Sequence, residues 1–188
     1  MTYQPFRFEL PLTGDRLSLV PFELSDLERL AAFFAEPGNL YYYLPDTLLP
    51  RNRAQLLAMM EDWNDGKENF VFTCRYQDQP IGLLTVSDLD PVAGKAELGI
   101  MLAGEESRGK GLAFEAMELI LAYAFGELRL HRLYARVAPG NEPSVRLFQK
   151  LGFKEEGRIR DAMRRGDGYV DLLLFGLLED EYRMMKKI

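Results

Sequence analysis

The segment Arg108-Gly109-Lys110-Gly111-Leu112-Ala113 sets two glycines and two cations between apolar runs at Ala96–Ala103 and Leu112–Leu128. Without a Cβ, Gly109 and Gly111 let the backbone turn sharply and bring its N–H groups close to a ligand. The first turn of a helix starting at Leu112 adds unpaired N–H donors and a positive dipole end, and Arg108 and Lys110 add full charges. A diphosphate suits such a loop. The same residues also fit a plain strand-to-helix turn, with glycines for geometry and cations for solubility.

The run Gly104–Gly111 nearly spells a P-loop, two glycines four residues apart followed by Lys. Gly111, however, stands where the magnesium-binding hydroxyl of Ser or Thr is needed. Glu105 and Glu106 would put two negative charges inside a loop meant for phosphate. The chemistry excludes nucleotide hydrolysis of that kind. What stays is a pattern of Arg108, Gly111 and Ala113 in Arg/Gln-x-x-Gly-x-Gly/Ala spacing.

The elements that must hold this loop can be read from periodicity. Arg16–Phe22 alternates as a strand, and Ser25-Asp26-Leu27-Glu28 reads as a capping box opening a helix that Pro37-Gly38 stops. A second helix covers Arg53–Trp63. Strands at Asn69–Tyr76, Gln79–Asp88 and Lys95–Leu102 are joined by short turns, which predicts an antiparallel meander. Leu112–Leu128 is apolar almost all round and reads as a buried helix. A strand at Arg132–Ala138 follows, then a helix from the Asn141 cap to Leu151, then β segments at Lys154–Met163 and Tyr169–Leu178. No linker or repeat interrupts the chain, so one domain over 1–188 is expected.

With 188 residues, 47% hydrophobic and 28% charged, the composition is that of an ordinary globular chain. A net charge of −6 argues against a general nucleic-acid binder. Cys74 is the only cysteine, no Cys/His cluster has metal-ligand spacing, and no run approaches the length of a membrane span. A cytoplasmic protein without a metal is the expectation.

The loop pattern resembles the pyrophosphate loop of the GNAT family of N-acetyltransferases. Two further motifs, in the family's order, strengthen the likeness. Asn141-Glu142-Pro143-Ser144 with Lys150-Leu151-Gly152-Phe153 is similar to the helix after the family's fifth strand. Gly157-Arg158-Ile159-Arg160, Gly168-Tyr169-Val170-Asp171 and Leu178–Tyr182 look like the RimJ/RimL-type subgroup. The resemblance implies an α+β fold with a mixed, mostly antiparallel sheet whose fourth and fifth strands splay, flanked by helices. It also implies acetyl transfer from acetyl-CoA to a primary amine of a protein N-terminus, a polyamine or an amino sugar, in a monomer or homodimer.

Carried over by position, the diphosphate falls to Arg108, Gly109, Lys110, Gly111, Leu112 and Ala113, and the pantetheine arm to Met101, Leu102 and Ala103. The Met101 N–H becomes the donor to the thioester carbonyl. Glu97, polar on a mostly buried strand, becomes the general base, with a structural ion pair as its plainer role. Many relatives use a tyrosine to protonate the thiolate; here that residue is Phe148, which leaves Ser144 as the candidate donor. Asn141 serves as helix cap and coenzyme contact. Met163 replaces a glutamate that some relatives use as base, leaving Asp161 nearby. Glu36, Tyr41 and Tyr42 fall on the acceptor side, with Trp63 as cleft wall, and Asp171 either orients substrate or braces the last strand. A protein that binds coenzyme A without transferring acetyl groups is the competing reading.

Overall fold

The computed structural model describes residues 10–35, 42, 52–104, 107 and 109–187. Eight strands form one sheet: β1 (Leu12–Thr13), β2 (Leu17–Pro21), β3 (Phe70–Tyr76), β4 (Gln79–Asp90), β5 (Lys95–Leu102), β6 (Arg132–Val137), β7 (Lys154–Arg165) and β8 (Gly168–Leu178). Their spatial order is β1-β2-β3-β4-β5-β6-β8-β7. The described helices are α1 (Leu24–Ala35), α2 (Arg53–Trp63), α3 (Leu112–Gly126), α4 (Glu142–Lys150) and α5 (Glu179–Lys186).

From β2 to β5 the chain is the expected antiparallel meander. Gln77 and Asp78 both take positive φ, 51° and 58°, the backbone that a two-residue hairpin turn needs. Asp90 Oδ1 accepts from the Val92 and Ala93 N–H groups and fixes the next turn. Only β5 and β6 run parallel, so their link must cross the sheet, and α3 is that crossover. The α+β architecture and its mostly antiparallel sheet match expectation. β1 and α5 are additions; α5 carries Glu179, Asp180 and Glu181 in its first turn, where the helix dipole favours acids.

Helices cover both faces. On one, Leu112, Ala116, Met117, Ile120, Leu121, Ala124 and Phe125 of α3 pack on alternate residues of β2 to β6, including Ala96 and Leu98. On the other, Leu27, Leu30 and Phe34 of α1 and Leu56 and Met60 of α2 cover Val71, Leu83 and Met101. The alternation along β5 therefore sends Ala96 and Leu98 toward α3 and Glu97 and Met101 toward α1 and α2. The expected Ser25 capping box does not form. Asp26 instead accepts from the Glu23 N–H, from Thr73 Oγ1 at 2.7 Å and from Arg75 Nη2 at 2.5 Å, tying α1 to β3 through a buried carboxylate.

Candidate functional site

β5 and β6 pair only from Lys95↔Arg132 to Glu97↔Tyr134. Beyond that point β5 stays on β4 as far as Leu102 and β6 stays on β8 as far as Val137. The fork so formed opens a cleft of about 210 Å³ between the upper edge of β5 and the start of α4. An unpaired strand edge presents N–H and C=O groups to whatever enters.

Register decides which groups those are. The Ala103 N–H donates to the Ile81 carbonyl at 2.7 Å, and the pairing then runs without a shift through Leu83↔Met101 to Ser87↔Glu97. In an antiparallel ladder, alternate residues turn their N–H groups to the same neighbour. Met101 thus gives its N–H to β4, which corrects the expectation of Met101 as the carbonyl donor. The Leu98 N–H closes the last β5–β6 pair on the Tyr134 carbonyl, so the groups free in the fork are the Leu98 carbonyl and the N–H and C=O of Ile100 and Leu102. The one-residue phase was invisible in a run that is apolar on both faces.

The loop at the head of α3 is built from backbone. Gly109 and Gly111 take φ of 71° and 76°, and Gly111 is the helix N-cap with no side-chain cap bond. The first-turn N–H groups are therefore left for a ligand. Leu112 is anchored in the core while Gly109 and Lys110 lie exposed. Arg108 lies outside the described residues. Sequence reading missed Arg16, which grips this turn. Its N–H and Nε meet the Glu115 carboxylate at 2.7 and 2.8 Å, and its Nη1 donates to the Lys110 carbonyl at 2.8 Å. Burial alone would raise the Glu115 carboxyl; hydrogen bonds from Arg16 and Leu17 and the Arg16 charge outweigh it and hold it below the usual range.

At the apex of the fork, Glu97 accepts both Nε and Nη2 of Arg136, at 2.8 and 2.5 Å. The plainer role foreseen for Glu97, an ion pair, is therefore present, and Arg136 is the partner the sequence did not reveal. The Glu97 side chain is 15% exposed and that of Arg136 46%, so the carboxylate sits deeper than its partner. The Glu97 hydrogen bond, above all, holds the Arg136 guanidinium above its ordinary range against its partial burial. Beside them Tyr134 donates to Asp88 Oδ2 at 3.0 Å. Burial, then that hydrogen bond and the charges of Asp88 and Glu97, push the Tyr134 phenol up to about 12. Tyr42 and Trp63 also line the cleft. Glu36 and Tyr41 lie outside the described residues.

Across the cleft, the Asn141 side chain accepts the Ser144 N–H at 3.4 Å and caps α4. Asn141 and Ser144 both line the cleft, as does Phe148 one turn further on. Phe148 is 3% exposed, edge-on to Phe153 with centroids 5.0 Å apart and stacked on Phe175 at 6.2 Å. The ring belongs to the core and has no proton to give. Asp171 is away from the cleft lining. It accepts the Asp161 N–H at 2.9 Å and Arg158 Nη1 at 3.3 Å, bracing the bulge where β7 slips register between Ile159 and Met163. Its bracing role is the one with contacts. Among the described residues no His/Cys/Asp/Glu group could hold a metal, and no helix is long and apolar enough to cross a membrane.

Comparison with known proteins finds acetyltransferases. Residues 16–154 match the acetyltransferase (GNAT) domain. The uncharacterised N-acetyltransferase p20 of Bacillus licheniformis is 33% identical over 175 residues, covering 91% of this chain and 97% of that protein. YdaF of Bacillus subtilis (strain 168), by name a candidate ribosomal N-acetyltransferase, is 30% identical over 182 residues, with 90% and 94% covered. The crystal structure of spermidine N-acetyltransferase from Vibrio cholerae, in complex with CoA and spermine, shares the fold. It superposes with a TM-score of 0.80 at 24% identity, covering 90% of this chain and 99% of that one.

Proposed function

The chain belongs to the GNAT acetyltransferase family, whose members use acetyl-CoA, and we propose that it acetylates a primary amine by direct attack on the thioester, as a single catalytic domain. The observation that carries this reading is the fork, which sets an unpaired strand edge beside a partly buried carboxylate; the uncapped N-terminus of α3 supports it. The diphosphate lies against Arg108–Ala113, where backbone N–H groups and the helix dipole fit an anion. The pantetheine arm follows β5 past Leu102, with Asn141 across the cleft. The N–H group of Ile100 replaces that of Met101 as donor to the charge growing on the carbonyl oxygen.

The amine enters beside Tyr42 and Trp63. Its nitrogen bonds to the acetyl carbon, the carbon–sulfur bond breaks, and the nitrogen loses a proton. Glu97 takes that proton through water. A carboxylate has about four lone-pair sites, and a two-pronged guanidinium occupies only two of them. Arg136 thus fixes the orientation of the base and leaves it room to act. The Ser144 hydroxyl donates to the departing sulfur and water completes its protonation.

Protein N-termini, polyamines and amino sugars all offer such an amine. Glu97 and Arg136 balance each other in the described lining, which favours an acceptor with one amine over a polycation. Thiol release from acetyl-CoA with a panel of peptides, amino sugars and polyamines tests the reading. Amine-dependent release is expected, strongest with a peptide or sugar. Tight coenzyme binding without release to any amine would overturn it in favour of a coenzyme A-binding module.

A further inference from the structure

Arg16 stands just before β2, far in sequence from the cleft, yet its guanidinium sits on the turn that opens α3. Nε is bound to Glu115 and Nη1 to the Lys110 carbonyl, while Nη2 lies 3.6 Å from where a Cβ on Gly111 would be. Its own N–H and that of Leu17 also close on Glu115 Oε1, at 2.7 and 3.2 Å. Glu115 therefore accepts from three donors of one short segment, and that segment is fixed to the first turn of α3.

Two physical consequences follow. A trans peptide directs its C=O and the next residue's N–H to opposite sides. With the Lys110 carbonyl drawn to Arg16, the Gly111 N–H must face away from Arg16, free of any intrahelical bond. Second, an acid in the first turn of a helix suits the helix dipole but repels an anion arriving at the same end. Arg16 cancels the Glu115 charge at that place. Neither task needs Arg16 to touch the ligand.

We propose that Arg16 is a positioning residue for the coenzyme: it orients the Lys110–Gly111 peptide and neutralises Glu115, so that the loop accepts a diphosphate. The inference rests on the diphosphate lying at this loop. It separates Arg16 from a residue that merely holds β2 to α3, because a structural brace serves every thioester alike.

The test compares acetyl-CoA with S-acetylpantetheine, which keeps the reacting arm but has no diphosphate. The wild type is expected to prefer acetyl-CoA in kcat/KM. Arg16→Ala should raise the KM for acetyl-CoA by roughly 10–100-fold, as for loss of charged hydrogen bonds, with kcat and the kinetics of S-acetylpantetheine held. Arg16→Lys keeps the charge beside Glu115 but cannot grip carboxylate and carbonyl together, so it should recover part of the loss. Should Arg16→Ala fail to fold, Arg16→Lys carries the same comparison. An equal loss with both thioesters, or an intact preference for acetyl-CoA in the variants, would overturn the role of Arg16. A wild type that does not distinguish the two thioesters would instead overturn the placement of the diphosphate.

Discussion

The two ends of the proposed site are made from different materials. At the head of α3 the groups offered to a ligand are backbone N–H groups, exposed by left-handed glycines within a few consecutive residues. At the apex of the fork they are side chains brought together from different strands: Glu97 of β5 with Arg136 of β6, and Asp88 of β4 with Tyr134 of β6. A backbone site is specified locally and is indifferent to most side-chain changes. A side-chain site depends on register and fails when one partner is lost. The first end should govern coenzyme affinity, the second turnover.

The largest expected effect tests the side-chain end. Glu97→Gln keeps the shape and removes the proton acceptor, so turnover should fall by ~10²–10⁴-fold. Coenzyme affinity, measured by calorimetry, should stay near wild type. Wild-type turnover at every pH would remove Glu97 from the reaction and make Asp161, on the bulge of β7, the next acid to examine.

At the backbone end the matching change is Gly111→Asp. A side chain at φ of 76° costs about 1–2 kcal/mol in strain. The new carboxylate would sit within reach of Arg16 and add negative charge where an anion is wanted. Coenzyme affinity should drop by roughly 100-fold, equivalent to about 2.7 kcal/mol. A folded variant with unchanged affinity would dissolve the contrast between the two ends.

That contrast also explains what the sequence disclosed. The glycine loop, the Asn141 cap, the meander and α3 all write their signals within short windows, by turn chemistry, capping or apolar periodicity. The Glu97–Arg136 pair joins residues 39 apart and the Arg16–Glu115 pair residues 99 apart. Nothing local in Arg132–Val137 marks Arg136 as the partner of Glu97. Met101 is a different kind of miss. A strand covered by helices on both faces reads as one apolar run, and only the Ala103–Ile81 hydrogen bond fixes which N–H groups face the fork.

A smaller effect is expected where the two ends meet, at the sulfur. Ser144→Ala should slow single-turnover acetyl transfer by about 1–3 kcal/mol, with the KM for acetyl-CoA nearly unchanged. Phe148→Tyr would add a phenol to a ring that already lines the cleft, and should restore rate to the Ser144→Ala background if both serve the same sulfur. Full activity of Ser144→Ala alone would make Ser144 a helix-start residue and leave the proton to water.

The smallest effect separates the two ends by pH. Glu115, at the backbone end, has its folded carboxyl held below 4.5 despite burial, through its bonds from Arg16 and Leu17. A depressed acid stabilises the fold above its unfolded value, and that contribution is lost as pH falls through the folded value. Glu115→Gln should therefore melt lower than wild type at neutral pH, with the gap closing below pH 4.5. Tyr134, at the side-chain end, runs the other way: burial and Asp88 raise its phenol from 10 to about 12. A raised group stabilises below its unfolded value, and the contribution fades as pH climbs from 10 to about 12. Tyr134→Phe should lose midpoint temperature at neutral pH and regain it, relative to wild type, across that alkaline window. Both groups are partly reached by solvent, so each gap should amount to no more than a few degrees. Because each variant is compared with wild type at the same pH, the titration of lysines and of the other carboxylates cancels. Gaps that stay constant with pH would mean that neither group changes its proton affinity on folding. The contrast between the ends would then rest on the kinetic variants alone.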